Sequence, residues 1–147
     1  MKISKFKLID SLGSYDKSKN INRLSIYDLL SEGVSWTYNG KNYQLLNEKK
    51  ITAILLKGEQ EIGIVEAPFN FKENKAYIIN GDKSIKWNIL KLIKNKFENL
   101  FINNNIAVSD LYYIENTLYF SIIINNEDYR FSFDPMNGDI GNLIVSR

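Results

Sequence analysis

The chain has 147 residues, 44% hydrophobic and 24% charged, with a net charge of +2. These are ordinary proportions for one globular domain spanning 1–147, and the charge is too mild to point to nucleic acid. Cysteine and histidine are both absent, which excludes disulfide frameworks, Cys/His zinc sites, thiol nucleophiles and imidazole general bases, so no metal, cofactor or catalytic group is expected.

The segment Met1–Lys7 is charged with no apolar core behind it, and no later apolar run reaches bilayer-spanning length. Neither a leader nor a membrane span is expected, and the lack of cysteine is compatible with a cytoplasmic location. A short strand is expected around Ile3 to Ile9, followed by a polar loop over 10–20. A short helix over about 21–32 would then turn Leu24, Tyr27 and Leu30 inward, with Gly33 as its C-terminal cap.

Val34 to Leu45 alternates around Asn39-Gly40, a pair that accepts the positive φ angles of a type I′ turn. The register that follows pairs Tyr38 with Lys41, Trp36 with Tyr43 and Val34 with Leu45 on one face. Ile51 to Leu56 is apolar on both sides, as a central strand would be, and Glu61 to Glu66 and Ala76 to Ile79 are further strands.

Asn80 to Ser84 supplies turn and N-cap residues for a long amphipathic helix over about 85–101. Its apolar arc holds Ile85, Ile89, Leu92, Ile93, Phe97 and Leu100. The last third reads as a meander over about 108–114, 118–124, 128–134 and 141–146. Asn125-Asn126 acts there as a two-residue loop that sets Leu118, Phe120 and Ile122 beside Phe133, Phe131 and Tyr129. The fold expected is α+β: a curved, hairpin-rich antiparallel sheet packed on the long helix. Asn39 to Gln44 and Asn125 to Arg130 echo each other, a match that turn chemistry largely accounts for.

Asp134-Pro135-Met136-Asn137-Gly138-Asp139 has calcium-type oxygen ligands, but Pro-Met breaks their alternation and a turn is the better reading. Glu59 and Glu61 read as solvated rim charges rather than an acid/base pair. Trp87 shares a helical arc with Lys91 and Lys94. An exposed Trp flanked by lysines could stack a base or a partner side chain, although covering a neighbouring loop is the preferred role for it.

On the meander, Tyr119, Ile123, Asp128 and Arg130 point away from the apolar face. They mix the residue types enriched at protein interfaces.

The stretch from Ala76-Tyr77-Ile78-Ile79-Asn80-Gly81-Asp82 through Ser84 to Phe101, closing with Tyr129-Arg130-Phe131-Ser132-Phe133-Asp134, resembles small bacterial immunity proteins that neutralise a cognate toxin. That resemblance implies a small cytoplasmic binding protein, not an enzyme, acting by protein–protein occlusion. The resemblance carries no residues across; the outer sheet face and the helical arc themselves offer Tyr119, Ile123, Asp128, Arg130, Trp87, Lys91 and Lys94 as partner-binding residues. A ligand carrier or enzyme with a Tyr/carboxylate pocket around Tyr112, Tyr113 and Asp110 is a second reading. A third is a single-stranded nucleic-acid binder through Trp87, Lys91 and Lys94, which the low net charge disfavours.

Overall fold

The computed structural model describes residues 1–146 and contains two antiparallel sheets. The first is a six-stranded meander of β1 (Ser4–Ile9), β2 (Ser31–Tyr38), β3 (Lys41–Leu55), β4 (Glu61–Glu66), β5 (Lys75–Asn80) and β6 (Ile85–Asn88), paired in that order. The second runs β7 (Ile106–Ile114), β8 (Thr117–Ile124), β9 (Glu127–Phe133) and β10 (Ile144–Val145), again with sequence neighbours paired.

The helices are α1 (Ile26–Leu29), α2 (Ile89–Lys96) and a 3-10 turn at Glu98–Phe101. The fold is therefore mostly β, and the α+β expectation of a sheet packed on one long helix is overturned.

The reason lies in Ile85–Asn88. These residues extend the free edge of β5, pairing Ile78 with Trp87 and Tyr77 with Asn88, because an unpaired strand edge gains hydrogen bonds that a helical start would forgo. Asn80 to Ser84 is accordingly a hairpin turn, closed by the Asn80 N–H donating to the Ser84 carbonyl (2.8 Å). The helix starts at Asn88, whose side chain accepts from the Lys91 N–H, and ends where Phe97 leaves helical geometry.

The apolar arc nonetheless has the expected direction: Ile89 and Ile93 are fully buried. The helix expected over 21–32 shrinks to one turn capped by Ser25, with Ile26 exposed and Leu30 already extended. Gly33 belongs to β2, where a β-carbon would lie 2.6 Å from Leu46. The last strand is shorter than 141–146, reduced to Ile144–Val145 plus an isolated Phe133–Ile140 bridge.

Both hairpin registers agree with the sequence. Asn39 and Gly40 sit at φ 52° and 76°, Asn125 and Asn126 at 50° and 69°, as a type I′ reversal requires. Trp36 faces Tyr43 and Val34 faces Leu45, while Phe120 faces Phe131 and Leu118 faces Phe133.

The first sheet curls on itself. The Trp36 indole N–H of β2 donates to the Gly81 carbonyl between β5 and β6 (2.8 Å), and the Ile3 N–H donates to Glu59 (2.7 Å). The curl encloses one core of Val34, Trp36, Ile51, Ile62, Ile64 and Ile79.

The opposite face of β4 and β5 packs Val65, Ala76 and Ile78 on α2 and on the inner face of the second sheet, Phe120, Ile122 and Phe131. The sheets pack tightly at Gly63, where a β-carbon would stand 2.4 Å from Leu111 Cδ1. Each fully buried Ile or Phe contributes about 1.5–3 kcal/mol, so these two cores dominate stability.

Candidate functional site

The alternation of β8 and β9 sends Phe120, Ile122 and Phe131 inward and leaves Tyr119, Ile123, Asp128 and Arg130 on the outer face, half-buried or exposed. Pairing sets Tyr119 opposite Tyr112, Ser121 opposite Arg130 and Ile123 opposite Asp128. The Tyr112 and Tyr119 rings stack with centroids 6.2 Å apart, and the Arg130 guanidinium lies 5.2 Å over the Tyr119 ring. A cation held on an aromatic face gains about 0.5–1 kcal/mol at an exposed site and is fixed in direction.

Arg130 forms no ion pair among the described residues. Its Nε–H is buried and has no acceptor among the described residues. A guanidinium oriented in this way, with donors to spare, is a ready receptor for a carboxylate. Ile114 of β7 and Ile144 of β10 are exposed nearby.

The other expected site residues separate. Trp87 turns toward the 133–141 loop, where its indole N–H donates to the Pro135 carbonyl (2.7 Å) and its ring meets Phe133 edge-on. Lys91 and Lys94 instead line a groove on the far side of α2. The Trp87–Lys91–Lys94 set therefore forms no common stacking platform.

Tyr112, Tyr113 and Asp110 do not converge either. Tyr112 belongs to the outer-face stack, the Tyr113 hydroxyl accepts from the Lys57 N–H (3.0 Å), and Asp110 accepts from the Leu111 N–H. Partial desolvation raises the Asp110 pKa.

Glu61 pairs with Lys86 and Glu59 with Lys2. In the 134–139 loop Asp134 Oδ1 accepts from the Met136 N–H, so that carboxylate serves a turn. Among the described residues no cluster of acidic side chains has metal-holding geometry, and no helix is long and apolar enough to cross a membrane.

Sequence reasoning missed a second feature, the groove itself. It is open, with a volume of about 820 Å³, and lies between β3, β5, β6 and α2. Glu66 stands on its floor, only 9% exposed, and the half-buried Tyr77 lies beside it. Burial pushes the Tyr77 phenol above its usual range, helped by the charge and hydrogen bond of Glu66.

Asn74 braces the floor. Its amide donates to the Glu66 and Val108 carbonyls (3.1 and 2.8 Å) and accepts from the Val108 N–H (2.7 Å). One sequence signal existed: in Glu61–Glu66 strict alternation puts Glu66 on the same face as Ile62 and Ile64.

No family model and no curated protein matches the chain. A solved structure does match. One chain of "Structure of Tne2 in complex with Tni2" superposes with a TM-score of 0.69 at 16% identity, covering 99% of each chain. At that identity the shared property is the fold, and it extends over the whole chain.

Proposed function

We propose that this chain is a small, non-catalytic binding protein of the bacterial cytoplasm that occludes a protein partner, concretely an immunity protein that neutralises a cognate toxin. The observation that carries this reading is Arg130, stacked on Tyr119 with no ion pair among the described residues. Tyr112, Ile123 and Asp128 flank it on the same face and supply the aromatic, aliphatic and polar contacts of a protein interface. The likeness in fold to a chain from a complex of two proteins, Tne2 and Tni2, supports the same reading.

Co-expression with the toxin domain encoded beside this gene provides the test. A stoichiometric complex and protection of the host cell are expected. Absence of any complex with the purified domain contradicts the reading.

A further inference from the structure

The groove between β3, β5, β6 and α2 has no place in the outer-face contact just described, yet it is built unlike the rest of the surface. Its lining includes one carboxylate, Glu66, and three ammonium groups, Lys75, Lys91 and Lys94. The lysines stand exposed at the rim and join none of the ion pairs among the described residues. With three positive charges against one negative, the groove carries a local charge of +2.

The lips are apolar, with Phe71 and Ile85 61% and 63% exposed. Both line the same concave surface, where they offer apolar area to an incoming side chain. Glu66 is an acceptor held at depth, with Tyr77 beside it.

We propose that this groove receives a segment of the protein partner that carries Asp or Glu beside an apolar side chain. This proposal rests on the binding function above and adds the chemistry of a second contact. The acidic groups meet Lys75, Lys91 and Lys94 at the rim, and the apolar side chain lies between Phe71 and Ile85. An N–H or O–H donor of the segment adds a hydrogen bond to Glu66. Three lysines against one glutamate leave the lining positive in balance, which favours acidic groups. The lysines also raise the rate of encounter, which makes association sensitive to salt.

The experiment measures affinity for the toxin domain encoded beside this gene by isothermal titration calorimetry. It compares the wild-type protein, Lys91→Glu/Lys94→Glu, Phe71→Ala/Ile85→Ala and a control, Lys5→Glu/Lys7→Glu, on the distant edge strand β1. All six positions are exposed, and unchanged thermal unfolding certifies each fold.

The groove variants are expected to lose at least about tenfold in affinity, and the control less than about twofold. Affinity within twofold of wild type for Lys91→Glu/Lys94→Glu overturns the groove proposal while leaving the binding function intact. An equal loss in the control overturns it as well, by showing a bulk-charge effect. Failure of the wild-type protein to bind removes the function itself, and the groove proposal with it.

Discussion

The Arg130 guanidinium rests 5.2 Å above the Tyr119 ring, and no carboxylate among the described residues pairs with it. Folding therefore gains little from this side chain beyond cation–π attraction and the packing of its stem. The buried Nε–H, without an acceptor among the described residues, offsets part of that gain. Arg130→Met keeps the stem and removes the unpaired donor, so stability in chemical denaturation should change by less than about 1 kcal/mol. A loss well beyond that would assign Arg130 to the core.

Asn74 should have the opposite character. It joins the buried Val108 of β7 to the end of β4 through three hydrogen bonds, all to backbone groups. Asn74→Ala leaves those buried groups unpaired and is expected to cost about 3 kcal/mol or more, read as a lowered denaturation midpoint at unchanged slope.

Trp36 closes the curled sheet by donating to the Gly81 carbonyl from a fully buried position. Trp36→Phe removes the donor and opens a small cavity, so a destabilisation of about 2–4 kcal/mol is expected from thermal or urea unfolding. Trp87→Phe loses a similar bond to Pro135, but at a half-buried site, and should cost less.

Tyr77 sets an alkaline limit. Burial first, then the charge and hydrogen bond of Glu66, raise its pKa above the unfolded value of 10.0. The folded state thus holds the phenolic proton more tightly than the unfolded state. The resulting stability is fully present below the unfolded pKa and is lost as pH rises through the folded one. Urea midpoints followed upward from pH 9 should fall for the wild-type protein and fall less steeply for Tyr77→Phe. Parallel curves would contradict this account.

What the sequence disclosed was local. Asn39-Gly40 and Asn125-Asn126 dictate tight reversals, and a two-residue loop leaves only one register, so Trp36–Tyr43 and Phe120–Phe131 could be paired in advance. The outward placement of Tyr119 and Arg130 followed from the same parity.

The long helix failed because 3.6-residue periodicity in Ile85 to Phe101 cannot register that β5 has a free edge, which captures Ile85–Asn88 as β6. Leu46 to Lys50, polar enough to suggest a break, instead continues β3 through a positive-φ residue, Lys50. The groove was hidden for a related reason. Glu66, Asn74 and Tyr77 are neighbours only through the β4–β5 pairing, and Lys91 joins them from α2, so no local pattern shows the set.

The claim on which the account turns is that the outer face of β8 and β9 binds a protein through Arg130. Calorimetric titration of the toxin domain encoded beside this gene into wild-type and Arg130→Glu proteins tests it directly. The account predicts tight 1:1 binding by the wild-type protein and a loss of about 2 kcal/mol or more, roughly thirtyfold, on charge reversal with the fold retained. Equal affinity of the two proteins would contradict it.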